Sequence, residues 1–348
     1  MSEFNAPRIG SLSFYPRVRA KKETPSMKGY AVQGEPTKPL NFLCYKAGMV
    51  QVMGKNIHKA SPSFNQEVVA PATVIECPPL KIFGIRAYQK AEIGFEALSD
   101  VIAENIDKEL KRAILNFKQP QSKENKKEKT DSKKQHEEKH KTDSNKNDLY
   151  TIADFEKEIS GIEYFTLLAS TQPSFKKTPE LSEIFLGGTK EQQLAYAKEK
   201  LGKDLGIEEA FKEGDFLDVK AVTKGKGFQG PVKRFHVRTF RPKHKKQRVV
   251  GSIGPWHPNT VMFTVARPGQ MGYQNRTEVN KKLIKLSKNV GEVNPKSGFQ
   301  NFGMVQGKYA LVFGSLPGPA KRCIALRKSL RPVQSVGVQL QSVERIIN

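Results

Sequence analysis

Residues 225–230 read GKGFQG, which is the glycine spacing of a phosphate-binding loop. In a dinucleotide site this spacing opens a helix, and an acidic residue follows about twenty positions later. Here Pro231 and a basic run follow the motif, and the next acidic residue is Glu278. This context does not favour a dinucleotide site. The glycines instead predict a flexible backbone that lets neighbouring lysines reach phosphates, with an ordinary turn at the base of a loop as the alternative.

Three of the six histidines follow this motif, namely His236, His244 and His257. Histidines can hold a metal ion or act as acids and bases. No cysteine lies near them, no local carboxylate can orient an imidazole, and their spacing fits no zinc pattern. We therefore expect these rings to stack on bases or to bind phosphate oxygens. The sequence predicts no metal site and no catalytic residue.

Trp256, the only tryptophan, lies in the segment GSIGPWHP at residues 251–258. A single tryptophan usually belongs to a protein core, and that interpretation stays open here. The prolines at positions 255 and 258 favour a stiff turn. A stiff turn in a basic loop would present the indole ring to RNA.

These residues all belong to a segment without any aspartate or glutamate, Val219 to Thr277, which we call the acid-free stretch. Asp and Glu make up 35 of the 348 residues, so their absence over this length indicates selected charge segregation. Such a segment repels itself unless it lies against a polyanion. Its thirteen basic residues are Lys220, Lys224, Lys226, Lys233, Arg234, Arg238, Arg241, Lys243, Lys245, Lys246, Arg248, Arg267 and Arg276.

The whole chain is basic, with a formal net charge of +24. No run of eighteen apolar residues exists and the start lacks an apolar signal region, so a membrane partner is disfavoured. The three cysteines show no CxxC spacing, which predicts buried thiols in a reducing cytosol. No Walker A, HExxH, GxSxG or EF-hand pattern occurs, so the sequence predicts no enzyme.

Short runs rich in β-branched and aromatic residues predict strands in both halves of the chain. They include NFLCYKAGMVQVM, EVVAPATVIEC, LKIFGIRAY, IEYFTLLAS, GDFLDVKAVT, KKLIKLS, KYALVFGSL and KRCIALR, and less clearly RVVGSIG and VMFTVAR. Apolar residues at spacings of three and four predict an amphipathic helix from Phe95 to Ile114, and EQQLAYAKEKLG predicts a helix ending at Gly202. Residues 119–147 are polar and of mixed charge, which predicts disorder or exposure.

We divide the chain accordingly. Residues 1–40 form an extended basic N-terminal arm, and residues 331–348 form a weakly patterned tail. A mainly β domain is made of residues 41–93 and 212–330, the second part carrying a basic loop at 224–276. An α/β subdomain at residues 94–211 is inserted between the two parts.

Several segments together resemble the archaeal and eukaryotic branch of the ribosomal protein L-three family of the large subunit. The resemblance spans nearly the whole chain, and its most specific segments are GFQGPVKR, GSIGPWHP and GQMGYQNRT. It implies a translation-protein-type β-barrel that is split by an inserted α/β subdomain. It also implies an arm and a long loop that penetrate ribosomal RNA, with the tip near Trp256 approaching the peptidyl-transferase centre and supporting aminoacyl-tRNA accommodation. The charged tract at 119–147 does not match the family pattern, and the short C-terminus favours an archaeal source.

The resemblance also implies partners and RNA-contacting residues. The partners are large-subunit ribosomal RNA, bound early in assembly, and neighbouring ribosomal proteins, in the cytoplasm. We expect no cofactor, no metal, no membrane and no homo-oligomer. The implied RNA contacts are Arg17, Arg19, Lys21, Lys22, Lys226, Lys233, Arg234, Arg238, Arg241, Lys243, His244, Lys245, Lys246, Arg248, Trp256, His257, Arg267 and Arg276. A sequence-tolerant chromatin or DNA-binding protein and a nucleotide-dependent enzyme built on GKGFQG remain the alternative hypotheses.

Overall fold

The fold was analysed in a computed structural model, which describes residues 9–27, 37–104, 106–114, 150–332 and 345–347. The charged tract predicted at residues 119–147 lies outside these ranges. The described chain is mainly β, with antiparallel sheets and few helices, which confirms the predicted fold class. In this part of the chain no helix has the length and apolar character that crossing a membrane requires.

The elements follow one another along the chain. The strands are β1 (Asn41–Lys55), β2 (Glu67–Glu76), β3 (Leu80–Lys90), β4 (Phe95–Ile102), β5 (Ile162–Thr171), β6 (Leu181–Phe185), β7 (Asp204–Leu205), β8 (Phe216–Val222), β9 (Phe228–Gln229), β10 (Gly269–Gln270), β11 (Asn275–Ser287), β12 (Tyr309–Phe313), β13 (Cys323–Lys328) and β14 (Arg345–Ile347). The α-helices are α1 (Leu110–Ala113), α2 (Ile152–Lys157), α3 (Lys190–Lys200), α4 (Ile207–Ala210) and α5 (Pro231–Phe235). Among the described residues, two short 3-10 helices lie at Leu12–Phe14 and Val290–Glu292.

Six strands are hydrogen-bonded in a closed antiparallel ring, in the order β1, β13, β8, β11, β12 and β2, with β2 pairing back to β1. Burial alternates along β1 from Met49 to Lys55, because successive side chains of a strand point to opposite faces. A bulge separates Lys46 from Gly48, and a Cβ at Gly48 would overlap the ring of Phe299. Strands β8 and β11, which carry the two ends of the acid-free stretch, pair directly with each other in this ring.

A second antiparallel sheet has the order β4, β3, β5 and β6, with β7 on β3. The predicted division placed residues 80–90 in the first part of the β domain, whereas β3 pairs with β4 and β5. The change of sheet thus falls at Cys77–Pro79, where two consecutive prolines interrupt the ladder. Helix α3 lies beside β5, and the backbone N–H of Phe165 donates to Oε1 of Gln193 on that helix (2.9 Å).

The helix predicted from Phe95 to Ile114 is wrong over most of its length. Phe95 to Ile102 form β4, which pairs with β3 from Lys90↔Phe95 to Gly84↔Ile102, and only Leu110–Ala113 is helical. A hairpin turn causes the difference: Gly94 has φ +89°, and the N–H of Ala91 donates to its carbonyl (3.1 Å). Four residues ending in glycine between two apolar runs are a hairpin signal that outweighs the helical spacing.

Two further expectations need correction. Residues 236–268 contain no strand, so the strands proposed for RVVGSIG and VMFTVAR are absent; this segment has no neighbouring strand to complete a ladder. In the C-terminal tail, β14 pairs with Gln51–Met53 of β1. The predicted strands NFLCYKAGMVQVM, IEYFTLLAS and KRCIALR are confirmed, as is the helix at EQQLAYAKEKLG.

Both sheets contribute to one buried cluster. A polar group lies inside it: the hydroxyl of Tyr45 on β1 is hydrogen-bonded to Thr171 on β5 (2.7 Å) and donates to the carboxylate of Glu180. Burial raises the pKa of Tyr45. The arm also reaches the core through Met27. All three cysteines are buried free thiols, as predicted.

Candidate nucleic-acid interface

The acid-free stretch begins on β8 and ends on β11, so its two ends leave the ring side by side. Its base is a small structure in which β9 pairs with β10, from Gly269↔Gln229 to Gln270↔Phe228. Gly230 caps helix α5, and Pro231 occupies its first turn, where its missing N–H costs nothing. The helix ends at His236, whose φ of +53° turns the chain outward.

Arg234 joins the two sides of this base. Its Nε donates to the carbonyl of Gln270 (3.0 Å) and its Nη1 to the carbonyl of Arg267 (2.9 Å). A Cβ at Gly269 would lie 3.0 Å from Nη1 of Arg234, so glycine leaves room for the guanidinium. Burial, and then the charge of Arg17, lower the pKa of Arg234. This arginine thus stabilises the loop base in addition to carrying charge.

The arm packs against the same base. The N–H of Ile9 donates to the carbonyl of Phe235 (2.9 Å), and the N–H of Ala20 donates to the carbonyl of Tyr273 (2.8 Å). The guanidinium of Arg17 lies 4.5 Å from the ring centre of Phe235, within cation–π range. Two segments that are far apart in sequence therefore form one basic surface.

Residues 236–268, which we call the finger, project from this base with few internal hydrogen bonds. Every residue from 241 to 249 is exposed, and Trp256 is 86% exposed. Trp256 is therefore not a core residue, which decides between the two interpretations that the sequence left open. Phe263 is also exposed, with its ring edge-on to Tyr15 of the arm at 5.4 Å between centroids.

The basic segment of the finger contains a small ordered turn. The ring of Phe240 stacks on that of His244 at 4.8 Å, and the N–H of Phe240 donates to the carbonyl of Gln247 (3.0 Å). The N–H of Lys246 donates to Nδ1 of His244 (3.3 Å). The turn directs neighbouring cationic side chains into solvent, where they can contact phosphates.

Acidic residues border this surface but are already paired. Asp218 lies 2.9 Å from Nη2 of Arg327, and Glu278 lies 2.8 Å from Nζ of Lys281. Glu23 on the arm accepts a hydrogen bond from the hydroxyl of Tyr273 (3.0 Å). The described residues contain no cluster of three or more His, Cys, Asp or Glu that could hold a metal ion. The surface is thus chemically suited to an anionic partner.

Comparison with known proteins identifies the family. The family model described as Ribosomal protein L3 matches residues 1–347. This chain belongs to the ribosomal protein L3 family. Large ribosomal subunit protein uL3 of Methanocaldococcus jannaschii is 41% identical, over 94% of this chain and 92% of that protein. The proteins of the same name from Archaeoglobus fulgidus and Methanoregula boonei are 39% identical (95% of this chain, 93% of the relative) and 37% identical (99% of each).

Membership of the L3 family gives the chain a structural ribosomal role, in a family that is not one of enzymes. It confirms the resemblance drawn from GFQGPVKR, GSIGPWHP and GQMGYQNRT.

The structure places the predicted RNA-contacting residues of the L3 chain in two groups. Three arginines, Arg17, Arg234 and Arg276, are half-buried where the arm meets the loop base. The others are exposed on the arm, the loop base and the finger: Arg19, Lys21, Lys22, Lys226, Lys233, Arg238, Arg241, Lys243, His244, Lys245, Lys246, Arg248, Trp256, His257 and Arg267.

Sequence reasoning missed how aromatic residues of the arm take part. The ring of Phe14 lies 4.5 Å from the guanidinium carbon of Arg276, and the hydroxyl of Tyr15 is buried without a hydrogen-bond partner in the described structure. Phe14 is visible in the sequence, but its partner Arg276 lies 262 positions further along the chain, and spacing alone does not reveal such a contact.

Proposed function

We propose that the chain is a structural component of the large ribosomal subunit, and that it binds large-subunit ribosomal RNA through the arm and the acid-free stretch. The observation that carries this proposal is the finger, whose cationic and aromatic side chains are exposed and whose sequence contains no carboxylate. Phosphate contacts by lysine and arginine supply affinity, and aromatic stacking supplies placement. The archaeal relatives, which are large ribosomal subunit proteins uL3, support the assignment to the large subunit.

The proposal extends to the finer expectations from the resemblance. The ring of six strands is the translation-protein-type barrel, and the sheet of β3 to β7 belongs to the inserted subdomain. The chain joins the RNA early in assembly, in the cytoplasm, next to other ribosomal proteins and as a single copy. The tip around Trp256 approaches the peptidyl-transferase centre and supports aminoacyl-tRNA accommodation, consistent with an indole ring that packs on no core.

Assembly tests this function. Replacing Lys245→Glu and Lys246→Glu puts two carboxylates among phosphates, so we expect reduced incorporation into large subunits on sucrose gradients and an unchanged circular dichroism spectrum. The control is Lys288→Glu with Lys296→Glu, which reverses two exposed charges outside the acid-free stretch. Normal incorporation of the first variant would count against the proposal.

Competition separates this function from the DNA-binding alternative. Labelled large-subunit RNA should stay bound when unlabelled duplex DNA is added at equal nucleotide concentration, because loop placement depends on RNA shape. A sequence-tolerant DNA-binding protein would instead exchange one polyanion for the other. The endogenous protein should also co-sediment with the large subunit through a high-salt wash.

A further inference from the structure

A groove of about 510 Å³ lies between the arm and the base of the acid-free stretch. Five of its lining residues are cationic: Arg17 from the arm, and Lys224, Lys226, Arg234 and Arg276 from the base. None of the described residues that line it is acidic. Five positive charges around one concave site make it a binding site for negative charge.

The guanidinium groups are held in place by contacts that leave donors available. Nη2 of Arg17 donates to the carbonyl of Ser11 (3.1 Å), and Nη2 of Arg276 donates to Oε1 of Gln274 (2.7 Å). Each guanidinium has five N–H donors in a rigid fork, more than these contacts use. Nε of Arg17 is buried and has no hydrogen-bond partner among the described residues.

The positive charges in the groove repel one another. The pKa of Arg276 is lowered, first by burial and then by the charge of Arg17, and Arg17 acts on Arg234 in the same sense. Docking of the arm therefore brings Arg17 against two other cations with no carboxylate between them. Glu23, the acidic residue of the described arm, instead interacts with Tyr273 and Arg322.

The arm approaches the groove closely only because of a glycine. Gly10 has φ +117°, and a Cβ there would lie 2.7 Å from the ring of Phe235 and 2.8 Å from Nη2 of Arg17. Glycine tolerates this backbone conformation at no steric cost. The groove is thus formed by close packing of the arm against the base of the acid-free stretch. Its described lining carries five positive charges and no carboxylate.

We infer that this groove binds consecutive phosphate groups, and that the bound phosphates hold the arm against the base of the acid-free stretch. The inference rests on the proposed function, in which the phosphates belong to the backbone of large-subunit RNA. Arginine pairs with phosphate through two parallel hydrogen bonds. Arg17 of the arm and Arg276 of the base can therefore bind phosphates of one chain from opposite sides of the groove. A free polyphosphate offers the same chemistry, and the experiment distinguishes the two sources.

Hydrogen exchange of the whole chain tests this inference. The amides of Ile9 and Ala20 report arm docking, because they donate to Phe235 and Tyr273 of the base. We expect inorganic tripolyphosphate at a concentration of ten times its Kd to slow the exchange of these amides about tenfold. The reason is that a ligand of the docked state raises the population of that state by a factor of one plus the ratio of ligand concentration to Kd. Sodium chloride at equal ionic strength should not.

Variants locate the effect in the groove. Arg276→Gln, on the ring side, should abolish the slowing by tripolyphosphate, whereas Arg17→Lys, which keeps the charge, should retain part of it. Lys288→Gln is the control, since Lys288 is exposed, does not line the groove and is not one of the predicted RNA-contacting residues. Equal slowing by tripolyphosphate in Arg276→Gln and in the unmodified chain would overturn the inference.

Large-subunit RNA is the second probe, and its outcomes are separable. Slowed exchange with RNA supports the RNA backbone as the ligand, and slowing by tripolyphosphate alone supports the groove with a free polyphosphate as its ligand. RNA binding that leaves both arm amides unchanged, with tripolyphosphate also without effect, overturns the inference while the proposed function stands. Failure to bind RNA at all refutes the proposed function instead.

Discussion

At the scale of single residues, exposure and backbone conformation distinguish functional positions from structural ones. Trp256 is almost fully exposed, whereas Arg234 binds two carbonyl groups and stabilises the loop base. Both are prominent in the sequence, and both were predicted to contact RNA. Only the structure shows that removing one should leave the fold intact while removing the other should not.

Trp256→Ala should change the free energy of unfolding by less than about 0.5 kcal/mol, because the indole ring packs on no core. Urea denaturation measures this change. We further expect subunits that assemble but show altered aminoacyl-tRNA binding or peptidyl transfer. A large loss of stability would show that the ring is buried in solution.

Gly272 and Gly227 form a matched pair at the loop base, with φ of +70° and +68°. A Cβ at Gly272 would overlap the carbonyl oxygen of Lys224, whereas nothing lies within 4 Å of one at Gly227. Gly227→Ala should cost about 1–2 kcal/mol from its positive φ alone. Gly272→Ala should cost more and should speed hydrogen exchange at Lys226, whose N–H donates to Met271 (3.0 Å). Equal effects of the two substitutions would refute this account of the base.

At the scale of elements, local sequence patterns predicted several strands correctly. The elements that depend on pairing with residues distant in sequence were missed. The runs of β1, β5 and β13 were recognisable from their short apolar, β-branched and aromatic sequences, and each is largely buried. The strand at Phe95–Ile102 was mistaken for a helix because Phe95, Leu98 and Ile102 have helical spacing, and pairing with β3 overrides that spacing. The docking of Phe14 on Arg276 depends on tertiary structure and leaves no periodic signal.

The contact between the two sheets makes a prediction about stability. Tyr45→Phe removes a hydroxyl that bridges Thr171 and the buried Glu180, so it should lower the free energy of unfolding by about 1–3 kcal/mol. Tyr309→Phe is the control and should cost less, because its partner Glu292 lies at the surface. Urea denaturation of both variants checks the difference.

The pH dependence of this contact has a definite sign. The pKa of Tyr45 in the folded chain is raised above its unfolded value of about 10. The contribution of its hydroxyl to the free energy of unfolding is therefore complete below pH 10 and is lost as the pH rises above 10. The gap in stability between the unmodified chain and Tyr45→Phe should therefore narrow in alkali. A gap that widened there would contradict the assignment.

At the scale of the whole molecule, charge is segregated: the finger contains no acidic residue, and the acids that flank the acid-free stretch, Asp218 and Glu278, are paired with Arg327 and Lys281. The sequence predicted the acid-free stretch, because it is a property of composition. It did not predict that the arm joins the same surface, because that depends on backbone contacts between Ile9 and Phe235 and between Ala20 and Tyr273.

The salt dependence of binding to purified large-subunit RNA tests the central claim most directly. Each neutralised phosphate adds about −0.7 to −0.9 to the slope of log affinity against log salt, so we predict a slope steeper than about −4 for the finger and arm together. Lys245→Glu with Lys246→Glu should make that slope shallower by about 1.4–1.8. A nearly flat slope for the unmodified chain would contradict the claim that the acid-free stretch lies against RNA.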